Sequence, residues 1–522
     1  MGKRLFKSTL VVSGMTLVSR LLGFVRDMLI ARIFGVDLAT DAFFVAFKIP
    51  NLLRRLFTEG AVAHALVPVI AGYSKLGDSK QETNAALKQF LAKMSGNLAA
   101  WALIVTLVAM VIAPLLVMLL APGFAWHGQQ NELAVTLLRI TMPFGFCIVL
   151  VAYAGAVLNA HERYAIPALT PVFLNICMIV AAIWLAPRMD IPITALAWGV
   201  FGAGFVQLLV QMPSLIRLGL LPLPCIRIKD PEVDKVFKLL VPAIFSASIT
   251  QINLLLDSLI ASFLVSGSVS WLYYSDRLVE FPLGILGMGL ATAILPSLAN
   301  NHAADDPVAF TKTLDWGLRW VFLVGMPATI GLYVLAEPMI STLFQYNEFT
   351  VNDVYKAGQS LKAYAVGLLG YLFIKILVSG FASRQDLNTP VRYGVYAMIA
   401  SLVLNVVLVY PLGHAGLALA TSLGALINAG FLLKKLLQDR IYQPAGDWLL
   451  FLLRVTLASA VMAAGLYYGV DKDCWNEWQS ADRAINLVKW VGIGCIGYAL
   501  TLVLVGMRLR HLTVTNDKIT RF

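Results

Sequence analysis

The sequence predicts an all-α integral membrane protein with fourteen transmembrane helices, arranged as two pseudo-symmetric six-helix lobes plus two additional C-terminal helices. Three observations carry this. Of 522 residues, 59% are hydrophobic and only 13% charged, a balance foreign to soluble domains. Apolar runs of about 20 residues, long enough to cross a bilayer, recur from end to end. Lysine and arginine gather in short loops on alternate sides of those runs, which is the positive-inside pattern.

The expected spans are residues 9–33, 39–72, 88–120, 132–159, 166–186, 192–216, 236–265, 270–299, 310–335, 354–383, 390–410, 414–437, 448–470 and 484–507. Span one follows Lys3, Arg4 and Lys7 without a small-residue cleavage site, so it reads as an uncleaved helix rather than a signal peptide. Span two is charged and should kink at Pro50. Lys75 and Lys80 follow it, Arg163 follows span four, and Arg217, Arg227, Lys229 and Lys235 follow span six. Span seven carries Asp257, span eight carries Asp276, Arg277 and Glu280, and span ten carries Lys375, which reads as an interface or structural lysine. Arg384 and Arg392 flank the next loop; Lys434, Lys435 and Arg440 follow span twelve, and Arg508 and Arg510 follow span fourteen. The opposite loops at 121–128, 266–270 and 345–350 lack both cations, so both termini are placed in the cytoplasm, against the exceptions Arg188, Lys472 and Arg483. No polar interruption exceeds roughly 20 residues, too short for a separate soluble domain. The net charge of +11 is explained by these loops and does not call for nucleic acid. Cys147, Cys177, Cys225, Cys474 and Cys495 have no CxxC spacing and imply no disulfide or metal framework.

A weak internal repeat divides the chain. Gly60-Ala-Val-Ala-His-Ala-Leu-Val-Pro68 resembles Gly289-Leu-Ala-Thr-Ala-Ile-Leu-Pro296, and Gly155, Pro167 and Asn175 correspond to Gly380, Pro390 and Asn405. The lobes would be 1–222 (spans one to six) and 223–440 (spans seven to twelve), with 441–522 holding the two additional helices. Repeats with a binding site at their interface are a common transporter plan.

The charges inside the spans point to function. Arg20, Arg26, Asp27 and Arg32 lie in the first span, and Asp41, Lys48, Arg54, Arg55 and Glu59 in the second. A charge at the centre of a spanning helix costs roughly 2.5–3.5 kcal/mol on insertion scales, so helices that repeat the expense are expected to line a wet, cationic cavity. Asp41, Lys48, Arg55 and Glu59 fall near one face of an ideal helix, as do Ser13, Arg20 and Asp27 in span one. Two readings stand side by side. Arg32, Asp41, Arg139 and Arg319 are explained most simply as snorkelling side chains or structural ion pairs. Arg20, Arg26, Arg54 and Arg277 read instead as ligands for an anion, because guanidinium groups match phosphate oxygens in bidentate geometry. Asp257 with Asn405 and Thr421 either holds a small cation such as sodium or pairs with a neighbouring helix. His64 reads as packed. No Walker A loop, HExxH or nucleophile elbow is present, so no enzyme is expected.

At these residues the chain resembles the MurJ (MviN) family of lipid II flippases, in the superfamily of multidrug, oligosaccharidyl-lipid and polysaccharide exporters. The resemblance rests on Ser19-Arg-Leu-Leu-Gly-Phe-Val-Arg-Asp27, on Thr40-Asp-Ala-Phe-Phe-Val-Ala-Phe-Lys-Ile-Pro-Asn-Leu-Leu-Arg-Arg55, and on Phe57-Thr-Glu-Gly-Ala61. It extends to Gly267-Ser-Val-Ser-Trp-Leu-Tyr-Tyr-Ser-Asp-Arg277 and Ser383-Arg-Gln-Asp386, and fades over the last two spans. It implies an inner-membrane carrier that moves lipid-linked peptidoglycan precursor to the periplasmic leaflet by alternating access. Arg20, Arg26, Arg54 and Arg277 would engage the diphosphate-sugar head, with Asp27, Asp41, Arg55, Glu59, Ser270 and Asp276 as neighbouring polar positions. Spans thirteen and fourteen would form a groove for the polyprenyl tail, and Asp257, Asn405 and Thr421 match a sodium site of some members. No other cofactor is implied; partners would be lipid II, membrane lipids and the peptidoglycan synthesis machinery. The competing readings are a cation-coupled multidrug exporter, a flippase for another lipid-linked oligosaccharide, and a non-transporting membrane scaffold.

Overall fold

The structure, a computed structural model, describes residues 2–73, 80–126, 128–221, 224–226, 230–471, 475 and 478–508, without the side chains of 2–10, 59–60, 80–84, 243, 245–254 and 288. Lys75, Arg227, Lys229, Lys472, Cys474 and Arg510, used above for orientation or cysteine pairing, lie outside the described residues. Among the described residues there is no strand, and eleven helices are long and apolar enough to cross a membrane. Three more helices lie where spans one, two and seven are expected: Gly2–Phe34, Leu38–Leu56 continuing into Val62–Tyr73, and Pro231–Ala261. The chain separates into two compact units, Met1–Ser270 and Trp271–Phe522.

The first unit contains α1 (Gly2–Phe34), α2 (Leu38–Leu56), α3 (Val62–Tyr73), α4 (Lys80–Val111), α5 (Ala113–Leu120), α6 (Gly128–Thr141), α7 (Pro143–Ala160), α8 (Ala165–Val180), α9 (Thr194–Arg217) and α10 (Pro231–Ala261). Helix α1 packs on α8, α2 on α6, and α7 on α3, α4 and α9. The turn from α1 to α2 uses Gly35 at φ +63°, a left-handed conformation that suits glycine, and Asp37, whose carboxylate accepts the Thr40 N–H at 2.7 Å. Between α2 and α3 the helix continues through a widened π turn, Phe57–Ala61, rather than breaking. Phe43, Phe44 and Phe47 are buried, with the Phe43 and Phe47 rings stacked at 5.7 Å. Lipid offers no hydrophobic drive for helices to pair, so close packing must do it. Gly199 of α9 serves that end: a Cβ there would sit 2.8 Å from the Ala181 Cβ beside α8.

The start of α10 is tied to the same unit. Val233, Val236 and Leu240 enter a core with Leu66, Phe90, Met94 and Leu158. Asp230 caps the helix, accepting from Glu232 N–H at 3.1 Å and from Lys93 Nζ at 2.7 Å. The Lys93 ammonium, with the helix N-terminus, holds the Asp230 carboxyl below the usual carboxylate range. Tyr73 Oη donates to Glu232.

The second unit holds most of α11 (Ser268–Pro282), then α12 (Met288–Ala303), α13 (Pro307–Val334), α14 (Ala336–Phe344), α15 (Val351–Ala382), α16 (Asn388–Leu412), α17 (His414–Gln438), α18 (Trp448–Gly469) and α19 (Ser480–Leu504). Helix α15 lies against α13 and α17, and α18 against α19. Gly367 and Gly370 let α15 meet the Ser422 and Leu426 backbone of α17. Pro327 inside α13 has no N–H, which releases the Leu323 carbonyl one turn earlier; Tyr498 Oη of α19 donates to it at 2.7 Å. Exposed Tyr333, Tyr467 and Tyr468 stand at the ends of α13 and α18, where amphipathic rings favour a bilayer interface.

Candidate functional site

The intramembrane charges come to rest on partners of three kinds. Asp41, in the first turn of α2, is 2% exposed and accepts from Gly267 N–H at 2.7 Å, Ser270 N–H at 2.9 Å and Ser270 Oγ at 2.6 Å. Those amides open α11, where N–H groups have no intrahelical partner, so a distant carboxylate caps this helix. Two predicted site residues, Asp41 and Ser270, are thus brought together. One helical face of α2 continues toward Lys48, whose Nζ donates to Ser258 Oγ on α10, beside the buried Asp257.

Arg26 and Asp27 form the second kind of arrangement. They are 5% and 1% exposed, and the Arg26 Nε and Nη2 donate to Asp27 Oδ1 at 2.9 and 2.6 Å. Arg26 Nη1 also donates to Asn175 Oδ1 on α8 at 2.9 Å, while Asn175 Nδ2 donates to the Ser19 carbonyl at 2.9 Å. Breaking such a buried pair from one side leaves an uncompensated charge, costing about 3–5 kcal/mol. The helix face shared by Ser13, Arg20 and Asp27 accordingly runs from exposed, at the first two, to buried.

The remaining cations are less enclosed. Arg20 is exposed on α1; Arg54 and Arg55 are half-buried at the end of α2, with Arg54 Nε donating to Asn51 Oδ1 at 3.0 Å. The Glu59 side chain lies outside the described residues, while its backbone sits in the widened turn. In the second unit Arg277 donates to Glu280 Oε2 at 2.8 Å and to Tyr273 Oη at 3.1 Å, with its guanidinium 5.1 Å from the Tyr273 ring centre. Asp276 beside it is half-buried. Planar faces and edges of this kind are what a guanidinium offers and an ammonium does not.

Asp257 belongs to the first unit and Asn405 and Thr421 to the second. On the α16–α17 hairpin Asn405 is fully buried, and Thr421 Oγ1 donates to the Leu417 carbonyl at 3.0 Å. All three present hard oxygen atoms, the donor type suited to a small hard cation. Among the described residues there is no cluster of three or more His, Cys, Asp or Glu.

Arg139 and Arg319 have partners within their own units. Arg139 Nε donates to the Met110 carbonyl at 3.2 Å. Arg319 donates to Asp315 at 2.7 Å and to Asp447 at 2.8 Å, and Tyr442 Oη and Trp448 Nε1 complete Asp315, both at 2.6 Å. Asn175, Ser258 and Tyr273 are contacts that sequence reasoning did not assign. Asn175 alone left a signal, as a carboxamide inside an apolar run.

Comparisons with known proteins give the following. The family model described as "Lipid II flippase MurJ" matches residues 30–489. The "Probable lipid II flippase MurJ" of Vibrio cholerae serotype O1 is 43% identical over 524 residues, covering 99% of this chain and 99% of its own. Its counterpart in Haemophilus influenzae is 43% identical, covering 96% of this chain and 100% of its own. The "Lipid II flippase MurJ" of Burkholderia cenocepacia is 41% identical over 89% of this chain and 90% of its own. Among solved structures, "Lipid II flippase MurJ, inward closed conformation" aligns with a TM-score of 0.80 at 24% identity, over 96% of this chain and 99% of its own. An inward-facing multidrug resistance MATE family transporter of the MOP superfamily aligns with a TM-score of 0.64 at 14% identity, over 83% of this chain and 98% of its own. At those identities the two structures speak for the fold alone.

Proposed function

The chain belongs to the lipid II flippase MurJ family, and from that membership we propose that it moves lipid-linked peptidoglycan precursor, lipid II, from the cytoplasmic to the periplasmic leaflet of the bacterial inner membrane. The single observation that carries this is 43% identity to a probable lipid II flippase along 99% of both chains. Fourteen spans, lobes at 1–222 and 223–440 with a two-helix addition at 441–522, and cytoplasmic termini complete the proposal.

The mechanism is alternating access around a cationic central cavity. Arg20, Arg54 and Arg277 take the diphosphate and sugar of the head, each exchanging contacts with neighbouring polar groups for phosphate oxygens. Arg26 is held ready by Asp27 and Asn175. Arg55, Glu59 and Asp276 set the local charge, while Asp41 and Ser270 hold the start of α11 in place. The head neutralises the guanidinium groups, which lowers the cost of closing protein around them. The polyprenyl tail stays in lipid along α18 and α19. A sodium ion held by Asp257, Asn405 and Thr421 would supply a coupling charge; the oxygen donor set suits it. Peptidoglycan synthases are the natural consumers of the product.

The test is charge-preserving replacement. Arg20→Lys, Arg54→Lys and Arg277→Lys should each lower flipping at least tenfold, because a point charge does not reproduce bidentate phosphate binding. Flipping is read as the fraction of lipid II accessible at the periplasmic face after depletion of the wild-type protein. Full activity in all three variants, at normal surface expression, would remove geometric phosphate recognition from the account.

A further inference from the structure

Lys375 is the residue whose surroundings the reading above does not use. It lies on α15, seven residues before the helix ends at Ala382, or roughly 10 Å along the axis. A 32-residue helix is roughly 48 Å long and overhangs a 30 Å hydrocarbon layer by about 9 Å at each end. Centred in the bilayer, α15 therefore holds Lys375 just inside the apolar zone. Other cations of the same unit have acids: Arg277 has Glu280 at 2.8 Å, Arg319 has Asp315 at 2.7 Å, and Lys362 has Glu337. Lys375 is exposed, and among the described residues its ammonium has no hydrogen-bond or ion-pair partner.

Phe373 packs edge-on against Phe322 of α13 at 4.7 Å. Two residues later, 200° around the helix, Lys375 points away from that contact. Its stem passes the turn between α11 and α12 instead: a Cβ added to Gly287 would lie 3.5 Å from Lys375 Cγ. Gly287 is ten residues beyond Arg277, which is roughly 15 Å along the same span. The second unit thus carries a further cation, Lys375, beside the span that holds Arg277 and toward the Ala382 end of α15.

We propose that Lys375 is a further phosphate-contacting residue for the lipid-linked substrate, meeting the diphosphate before Arg277 on its way in from the cytoplasmic side. The proposal rests on the flippase reading and on the orientation that comes with it. A lone ammonium on a flexible stem suits a transient contact, since it binds phosphate as a point charge and releases it without breaking a bidentate fork. An anionic phospholipid headgroup offers the same chemistry, so the experiment must separate the two sources.

Full-length protein in nanodiscs is titrated with lipid II, and separately with phosphatidylglycerol, for the wild type and for Lys375→Gln, Lys375→Arg and Arg277→Gln. Loss of a charged contact should weaken lipid II binding by about tenfold in Lys375→Gln and make its salt dependence shallower. Lys375→Arg should bind as the wild type does, and Lys375→Gln should keep the wild-type Tm, which excludes a merely structural effect. If Lys375→Gln binds normally while Arg277→Gln is weakened, the inference falls and the flippase reading stands. If neither variant is weakened, the reading beneath it falls as well. Weaker phosphatidylglycerol binding with unchanged lipid II binding would make Lys375 an interfacial lipid anchor and overturn the inference.

Discussion

A carboxylate inside a membrane helix persists only where donors replace the water it has lost, and Asp41 has three of them. Two are backbone amides of a helix start, where N–H groups have no intrahelical carbonyl to bond. Asp41→Ala should therefore destabilise the protein by on the order of 3 kcal/mol, since the buried amides remain and their acceptor does not. Asp41→Asn should cost less, because its amide oxygen still accepts from Ser270. Thermal unfolding in detergent reads both, and an unchanged Tm for the alanine variant would refute the capping role. The charges themselves were legible in the sequence, because Arg20, Asp41 and Arg277 stand out inside apolar runs. Their partners were not. Asp41 meets Ser270 across 229 residues and Arg26 meets Asn175 across 149, and no local periodicity reports such distances.

Helices meet in lipid at places where something is missing. Gly370 is one: a Cβ there would fall 2.8 Å from the Leu426 nitrogen and 2.9 Å from the Ala425 carbonyl carbon, both backbone atoms that do not yield. Gly370→Leu should force α15 from α17 and cost about 1–3 kcal/mol, the range for overpacking. Gly394 of α16 has nothing within 4 Å of a Cβ, so Gly394→Ala should stay within about 0.5 kcal/mol of the wild type. Equal Tm values for the two variants would contradict this reading of the interface. At this scale the sequence was most informative: hydropathy located the apolar helices, because length and composition suffice to recognise them. It missed the π turns at Phe57–Ala61, Ala181–Leu185 and Leu283–Gly287, since one extra residue per turn leaves no mark in composition. Helix α2 runs from Leu38 to Leu56 with Pro50 inside it, and the widened turn follows directly at Phe57–Ala61. The sequence did not reveal that Gly370 is a contact and Gly394 is not, because the partner atoms of α17 lie more than fifty residues away.

For the whole molecule the controlling quantity is net charge across the field. The family and the multi-pass architecture fix what kind of machine this is, but a carrier must also return empty, and no ATP-binding loop is present in the sequence to drive the return. The proposed cationic cavity supplies an alternative. Loaded, its guanidinium groups are neutralised by the diphosphate; emptied, they carry positive charge. With the cytoplasm negative, a unit charge moving through the full field toward it gains about 2.3 kcal/mol per 100 mV. Even half a unit moved through that field would favour the inward state by about 1 kcal/mol, or roughly fivefold in population. Vesicles with purified protein and a potassium-diffusion potential should therefore flip lipid II faster when the cytoplasmic side is negative. The advantage should disappear when valinomycin with equal potassium on both sides holds the potential at zero, and it should reverse with the sign of the potential. Replacing Arg20 by glutamine should shrink the voltage dependence even where residual flipping persists, because the gain scales with the charge that moves. A flipping rate indifferent to the potential would mean that the returning cavity carries no net charge through the field, and the drive would then have to come from a bound cation.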